Sequence, residues 1–371
     1  MQIVITGGAG FLGVRLARTL LGLGQLARAG AAPSPLTRLT LVDRVAPPQE
    51  LLSDPRVTAL TGDLNALLQD EAGRSAMLQP QTAIIFHLAA AVSGECEADF
   101  DLGMRSNLDA TRALLDACRA LNSRPMLVFA SSLAVFGNSP EQPLPATIED
   151  NTLPTPQNSY GCQKFMAEQL VADCARKGFI QGRNVRLMTV SVRPGKPNGA
   201  ASSFLSGMIR EPLAGLRATC PVPAETAVAL SSPARTIEGL LCAARTSDTD
   251  WGARSAVNLP SIQTTAGAMA EALRRVAGQA ATDLIDWTPD PTIARIVTNW
   301  PAQIRATRAA QSRPSMVHAG DDRATAVSAG TGHVARRPAS GSRIMPLRKL
   351  DAAPLGLPGR TLTVMSRTLR P

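Results

Sequence analysis

The sequence QIVITGGAGFLG, residues 2–13, predicts a phosphate-binding turn between a strand and a helix. Its first residues form a short apolar run, and leucines then recur at helical spacing from Leu12 to Leu23. Gly7 permits a tight turn, Gly10 lets the backbone approach a pyrophosphate, and Gly13 lets the helix pack closely on the strand. The helix N-terminus that follows favours an anion. The stretch therefore predicts a dinucleotide-binding α/β fold.

The next apolar run, residues 39–42, ends in Asp43. An acid at the end of the second strand accepts hydrogen bonds from the ribose diol and repels a 2′-phosphate, which favours NAD over NADP. Asp43 lies farther from the glycines than the usual distance of about 20 residues. We attribute the extra length to a loop insertion over residues 23–35, which are rich in Gly, Ala and Pro. Arg44 is compatible with a phosphate, so NADP stays open as the alternative.

Apolar runs alternate with helical patterns along the first two thirds of the chain. The runs lie at 2–5, 39–42, 57–60, 83–88, 126–130 and 186–192, and the helical patterns near 11–23, 64–78, 107–121, 159–177 and 234–246. Such alternation predicts parallel strands with crossover helices on both faces, which is a doubly wound Rossmann sheet. The ligand is then expected at the carboxyl ends of the strands.

We expect three regions. Residues 1–195 form the NAD-binding Rossmann domain with the catalytic residues. Residues 196–310, with fewer clear strands and several prolines, form a smaller substrate-binding region, from which segments such as 231–260 return to the Rossmann sheet. In that region residues 256–260 predict a strand and residues 269–276 a helix.

The C-terminal residues 311–371 are predicted to be a disordered basic tail. From residue 301 onward there are 12 basic and 3 acidic residues, which accounts for the whole net charge of +9. No aromatic residue follows Trp300, so the segment has little apolar surface to offset the entropy of ordering. An unstructured extension, including one from a shifted reading frame, is favoured over an arm for anionic polymers.

Tyr160 is the only tyrosine, and Lys164 follows it by four residues. On a helix these two side chains lie on one face, one turn apart. A nearby ammonium favours the ionised phenol, and a phenolate can accept the proton of an alcohol. The pair therefore predicts a general base.

These motifs, in this order, resemble the extended short-chain dehydrogenase/reductases, which include the sugar-nucleotide epimerases and dehydratases. The resemblance covers roughly residues 1–195 and is carried by the glycine turn, the acid after the second strand, GDL (62–64), HLAA (87–90), SSLAVFG (131–137) and the Tyr-x-x-x-Lys pair. Up to about residue 305 the chain resembles the D-erythronate dehydrogenases, through AVSG (91–94), EADFDLG (97–103), VRPGKPN (192–198), AASSF (200–204) and REPLAG (210–215). This likeness implies an NAD-linked oxidation at C2 of a four-carbon sugar acid.

The resemblance implies roles for single residues. Ser132, four residues before Phe136, matches the catalytic serine or threonine and would hold the substrate oxygen near Tyr160. Lys164 would bind the nicotinamide ribose, and Asn107 would support the active-site helix and a water-linked proton path. The implied cofactor site comprises Gly7, Gly10, Phe11, Leu12, Gly13, Asp43, Asp63, Leu64, Leu88, Ala89, Asn107, Tyr160, Lys164 and Pro194.

A sugar acid also needs a cation for its carboxylate. We expect Lys196 or Arg235 in this role, with Arg193 and Arg210 as weaker candidates. Hydroxyl groups of the substrate would be bound by Ser93, Asn198 and Ser202, together with Ser132 and Tyr160 at the reacting carbon.

Other functions are weighed on the same residues. A nucleotide-sugar dehydratase is disfavoured because Leu133 and Ala134 replace its titrating pair, whereas a nucleotide-sugar epimerase remains the alternative. A non-enzymatic NAD sensor is less favoured because the Tyr-Lys pair is present, and nucleic-acid binding because the tail lacks stacking aromatics. One histidine before residue 300 and unpaired cysteine spacing predict no metal. No apolar run reaches about 18 residues and no signal peptide is recognised, so we expect a cytoplasmic enzyme, with a homodimer plausible.

Overall fold

The computed structural model describes residues 1–311, and the predicted tail lies almost wholly outside the described residues. The strands are β1 (Gln2–Thr6), β2 (Gln25–Leu26), β3 (Ser34–Pro35), β4 (Arg38–Asp43), β5 (Val57–Thr61), β6 (Thr82–His87), β7 (Met126–Ser132), β8 (Gln181–Leu187), β9 (Thr189–Val190), β10 (Ala218–Cys220), β11 (Ala227–Ser231), β12 (Val257–Asn258), β13 (Ile262–Thr265) and β14 (Ile285–Trp287).

The α-helices are α1 (Phe11–Leu23), α2 (Gln49–Leu52), α3 (Leu64–Gln69), α4 (Glu71–Met77), α5 (Ser93–Ala98), α6 (Phe100–Gly103), α7 (Ala110–Leu121), α8 (Ser159–Arg176), α9 (Phe204–Leu213), α10 (Pro233–Arg245), α11 (Asp248–Trp251), α12 (Ala266–Ala277), α13 (Gln279–Thr282), α14 (Pro291–Thr298) and α15 (Thr307–Gln311). A π-helical turn, Met104–Asp109, leads into α7, and a 3-10 turn, Leu133–Val135, follows β7. In the described part of the chain, no helix is long and apolar enough to cross a membrane.

Seven parallel strands form the central sheet in the order β12-β8-β7-β6-β1-β4-β5. Alternate residues of β1 enter opposite cores: Ile3 and Ile5 pack with α1 and α10, and Val4 packs with α7 and α8. The sheet is therefore covered on both faces, which confirms the predicted doubly wound α/β fold. The strand order diverges on either side of β1, and this switch point places the cleft at the carboxyl ends of β1, β4 and β6.

Several predicted boundaries were wrong. The strand predicted at 186–192 lies at Gln181–Leu187. The first half of the observed strand is polar in sequence, so it did not read as an apolar run, although Arg183 and Asn184 are buried. The helix predicted over 64–78 is two helices, since Asp70 ends the first and its carboxylate caps the second by accepting the Gly73 amide. The insertion at 23–35 contains the small hairpin of β2 and β3.

Residues beyond 195 build a second core and also contribute to the main sheet. The second core gathers α9, α12 and α14 around Leu205, Met208 and Leu273, beside the short sheets β13-β11-β9 and β10-β14. Within residues 231–260, α10 packs against the first core and β12 pairs with β8. The limits proposed for the two domains remain a prediction. These contacts show which segments pack with the central sheet and which pack with the second core.

Candidate active site

A cavity of about 550 Å³ opens along the carboxyl ends of the central strands. Its lining begins at the glycine turn and Asp43, passes Leu88 to Ser93, and reaches Ser132, Tyr160 and Lys164. Beyond them it is closed by Arg193, Asn198, Ser202 and Trp300, which follow β8 in the chain. Its lining joins the glycine turn to the polar residues that follow β8, which suits a dinucleotide with a small substrate beyond it.

The glycine turn packs so closely against neighbouring backbone that side chains would clash there. Gly7 has φ of 72°, and a Cβ there would stand 2.8 Å from the Ala89 amide nitrogen. A Cβ at Gly13 would overlap the Gly7 carbonyl oxygen, so α1 reaches the turn only because residue 13 is glycine. Phe11 and Leu12 begin α1 and line the cavity. The turn therefore fits a bound pyrophosphate against the start of α1.

The carboxylates at the far end of the cavity are held by backbone amides. Asp43 Oδ2 accepts the Ala9 amide at 3.0 Å, which ties the end of β4 to the glycine turn. Asp63 Oδ1 caps α3 by accepting the amides of Asn65 and Ala66 at 3.0 and 3.3 Å. Both acids, with Leu64, line the cavity.

Tyr160, Lys164 and Ser132 come together as the sequence predicts. Asn158 Oδ1 accepts the Gly161 amide at 2.8 Å and so begins α8, which puts Tyr160 in the first turn and Lys164 one turn later. Ser132 ends β7, its Oγ accepts the Ala134 amide at 3.1 Å, and its hydroxyl acts to lower the pKa of the Tyr160 phenol against the effect of burial. The three side chains line one stretch of the cavity, the arrangement that proton transfer to and from a substrate hydroxyl requires.

Lys164 is almost completely buried, and its charge is poorly solvated. Its Nζ donates to the Ala130 carbonyl oxygen at 2.9 Å and stands 4.7 Å from the centre of the Phe129 ring. Burial lowers the pKa of Lys164 to about 8, while Cys96 and Glu168 oppose the shift. An ammonium with this pKa is still available near neutral pH.

The expected depression of the Tyr160 pKa is not what the structure shows. Burial raises the pKa of Tyr160 to about 12, and the Ser132 hydrogen bond and Arg193 act in the lowering direction. Lys164 Nζ stands 5.7 Å from the centre of the tyrosine ring and donates to Ala130. Desolvation of the phenol therefore outweighs the groups that favour its charged form, and Arg193 is a charge that was not expected to act on Tyr160.

Asn107 lies behind the cavity and does not line it. Its Oδ1 accepts the Ala91 amide at 2.8 Å, and its Nδ2 donates to Gln163 Oε1 at 2.8 Å. The π-helical turn that carries Asn107 is thus tied both to the segment after β6 and to α8. This geometry suits the expected support of the active-site helix.

Two buried groups near the site were missed as site residues. His87 lies between Thr6 and Thr111, with Nδ1 at 2.6 Å and Nε2 at 2.9 Å from their hydroxyl oxygens. Glu168 takes both Nε and Nη2 of Arg186, at 2.9 and 2.7 Å. Glu168 follows Tyr160 by eight residues and so lies on the same helix face, a spacing that could have revealed it.

The substrate candidates divide into two groups. Ser93, Asn198, Ser202 and Arg193 line the cavity, and Ser93 Oγ accepts the Ala201 amide at 3.1 Å. The lining does not include the two preferred cations: Lys196 is exposed, and Arg235 is exposed and paired with Glu238 at 2.7 Å. Pro194 is also exposed and outside the lining, whereas Leu88 and Ala89 are part of it. Within residues 1–311, no cluster of His, Cys, Asp and Glu is placed to hold a metal ion.

Comparison with known proteins agrees with this geometry. The model of the NAD dependent epimerase/dehydratase family matches residues 3–225. The chain is 50% identical over 309 residues to D-erythronate dehydrogenase of Cupriavidus necator, covering 83% of this chain and 92% of that one. It is 42% identical to D-erythronate dehydrogenase of Haemophilus influenzae, covering 83% and 93%.

Among solved structures, the nucleoside-diphosphate-sugar epimerase of Agrobacterium tumefaciens superposes with a TM-score of 0.75 at 39% identity, covering 84% of this chain and 88% of that one. With its glycine turn, parallel sheet and Ser-Tyr-Lys set, the chain belongs to the NAD dependent epimerase/dehydratase family.

Proposed function

We propose that this protein is an NAD-dependent dehydrogenase that oxidises the C2 hydroxyl of D-erythronate to 2-dehydro-D-erythronate. The convergence of Ser132, Tyr160 and Lys164 in the lining of a dinucleotide cleft carries the proposal. It is supported by the two D-erythronate dehydrogenases, which match this chain over more than nine tenths of their own length.

The residues of the cavity divide the reaction between them. The glycine turn would hold the pyrophosphate of NAD, and Asp43 would accept hydrogen bonds from its adenosine ribose. When bound, NAD supplies the hydride acceptor and a positive charge. The positive charges of Arg193 and of bound NAD favour the Tyr160 phenolate against the effect of burial. The phenolate takes the proton of the C2 hydroxyl, and the C2 hydrogen leaves as hydride so that a carbonyl remains. Ser132 donates a hydrogen bond that holds the oxygen in place during this change.

The activity is tested by following NADH formation with purified protein. D-Erythronate, L-threonate and other aldonates are each supplied with NAD and with NADP. We expect turnover of D-erythronate with NAD. If protein that binds NAD turns over no aldonate, the dehydrogenase proposal fails and a nucleotide-sugar epimerase becomes the better explanation.

The proposal extends to the setting of the enzyme. We infer a cytoplasmic enzyme acting on a small sugar acid, with no role for nucleic acid or membrane, and a homodimer as its assembly. The six cysteines form no disulfide, which suits a reducing compartment. Sedimentation or light scattering of the purified chain tests the dimer.

A further inference from the structure

We propose, on the basis of the dehydrogenase function above, that Arg193 is the carboxylate receptor of this cavity. Its guanidinium would pair with the carboxylate of a 2-hydroxy acid while Tyr160 takes the proton of the adjacent hydroxyl. The sequence had favoured Lys196 and Arg235 for this role. Four features of the structure assign it to Arg193.

The first feature is the small number of cations that face the cavity. Among the described residues the lining contains three: Arg44, Lys164 and Arg193. Arg44 follows Asp43 at the end of β4, beside the acid proposed for the adenosine ribose. The Lys164 ammonium already donates to the Ala130 carbonyl oxygen. Arg193 is the cation left for an anionic substrate.

The second feature is that every hydrogen-bond partner of the Arg193 side chain is neutral. Nε donates to the Val190 carbonyl oxygen at 3.0 Å, and Nη1 and Nη2 reach Asn198 Oδ1 and Ser202 Oγ at 3.4 Å each. In the part of the chain that the structure describes, no carboxylate forms an ion pair with it. Burial lowers the pKa of Arg193, so its charge is desolvated, yet a guanidinium keeps its proton. A carboxylate would supply the missing countercharge and could accept two parallel hydrogen bonds.

The third feature is the position of Arg193 relative to the base. Arg193 and Tyr160 line the same cavity, and the charge of Arg193 favours the Tyr160 phenolate. In a 2-hydroxy acid the carboxylate carbon is bonded to the carbon that is oxidised, so the receptor must lie beside the base. Arg193 meets this requirement, whereas Lys196 and Arg235 lie outside the lining.

The fourth feature is that the backbone of Arg193 is fixed from both sides. Its amide donates to Ser206 Oγ at 3.0 Å, and its carbonyl oxygen accepts Arg210 Nη1 at 2.7 Å. Both partners belong to α9, so the guanidinium extends from a held position. A receptor that is already in place binds without the entropy of ordering a loop.

The test separates the charge of the substrate from its hydroxyl groups. D-Erythronate is compared with its neutral amide, D-erythronamide, for the wild type and for Arg193→Met. Loss of one partner of a desolvated charge pair is expected to lower kcat/KM for D-erythronate by about 10²- to 10³-fold. The amide should change by less than about 5-fold, so the preference of the wild type for the acid should largely disappear. Arg193→Lys keeps the positive charge but lacks the two parallel N–H donors of the guanidinium, so it should recover part of the lost kcat/KM.

Binding is measured without turnover in the Tyr160→Phe background. Calorimetric titration of D-erythronate into the NAD-loaded protein should show an affinity that falls by a similar factor when Arg193→Met is added. The Kd for NAD should be unchanged, which shows that the fold is intact. Arg275→Met, which changes an exposed arginine on α12 away from the cavity, is the matched control and should leave the Kd of the Tyr160→Phe protein for D-erythronate unchanged.

The outcomes distinguish the two proposals. If the wild type does not oxidise D-erythronate, the dehydrogenase function fails, and Arg193-dependent binding in the Tyr160→Phe protein would still support the receptor. If the wild type oxidises D-erythronate and Arg193→Met still prefers the acid to the amide, Arg193 is not the carboxylate receptor. The dehydrogenase function is then unaffected. A loss of acid preference in Lys196→Met or Arg235→Met, with none in Arg193→Met, also overturns it and restores the assignment made from the sequence.

Discussion

Replacing Glu168 by glutamine should destabilise this protein far more than the loss of one surface ion pair. Glu168 and Arg186 are 1% and 4% exposed, and they join α8 to β8 through two hydrogen bonds. Ser131 Oγ donates to the same carboxylate. Glutamine keeps the size but removes the charge, and its Nε2 would face Arg186 Nη2, donor against donor.

The magnitude follows from what is left behind. Breaking a buried pair by removing one partner costs about 3–5 kcal/mol, because the other charge stays buried without compensation. In a chain with 311 described residues, each kcal/mol lowers Tm by roughly 2 °C, so Glu168→Gln should lower Tm by roughly 6–10 °C. The Phe136 ring, with its centre 4.8 Å from the guanidinium carbon, offers only weak compensation.

Thermal unfolding followed by circular dichroism measures the effect, and the double variant Glu168→Gln/Arg186→Met is the control. Because the double variant removes the orphaned charge as well, it should recover at least half of the lost Tm. The reasoning is refuted if Glu168→Gln lowers Tm by less than about 2 °C, since that falls below the cost of one kcal/mol. It is equally refuted if the Tm decreases of Glu168→Gln and of Arg186→Met, measured separately, add up to that of the double variant.

Four further outcomes are expected. Tyr160→Phe should lower kcat by at least about 10²-fold, the scale of general base catalysis, while the Kd for NAD changes by less than about 3-fold; retained turnover would remove Tyr160 from the mechanism. Gly13→Ala should weaken NAD binding or lower Tm, because the added Cβ overlaps the Gly7 carbonyl oxygen. An unchanged Kd for NAD together with an unchanged Tm would contradict the close packing of α1 on the glycine turn. Burial, with Lys164 second, lowers the pKa of His87 from 6.5 to about 3. Below pH 6.5 the unfolded chain therefore binds a proton at His87 that the folded chain does not bind, and the free energy of unfolding should decrease as the pH is lowered from about 6.5 to 3. Urea unfolding at each pH measures this decrease, which should be less steep in His87→Gln. Glu168→Gln should also move the pKa of Lys164 below about 8, since Glu168 raises it, and the pH profile of kcat should show the shift.

The sequence predicts the parts of this structure that depend on local pattern. A few neighbouring residues are enough to recognise the glycine turn, each apolar strand and the Tyr160–Lys164 spacing. Together these patterns predict the doubly wound sheet. The ends of β8 were misplaced because Arg183 and Asn184 are polar residues whose burial depends on partners distant in sequence: Arg183 pairs with Asp248, and Asn184 Nδ2 donates to the Glu168 carbonyl oxygen.

The substrate end of the cavity was harder to predict for the same reason. Lys196 and Arg193 are three residues apart, and no local signal tells which of them turns inward. The contact between Arg193 and Ser206, which fixes the answer, joins residues on either side of a bend in the chain. Likewise, the pKa of Tyr160 depends on how much water the fold excludes, which a spacing rule cannot supply.

The residues proposed for proton transfer and those proposed to face the substrate lie on separate elements of this fold. Tyr160 and Lys164 sit on a helix that Glu168 fastens to the sheet, whereas Arg193, Asn198 and Ser202 belong to residues 191–203, between β9 and α9. That stretch can change its side chains without moving the helix. A library of substitutions restricted to residues 191–203 should therefore change the specificity of the enzyme toward acids of other length or stereochemistry. The Tyr160–Lys164 pair and the glycine turn would stay unchanged.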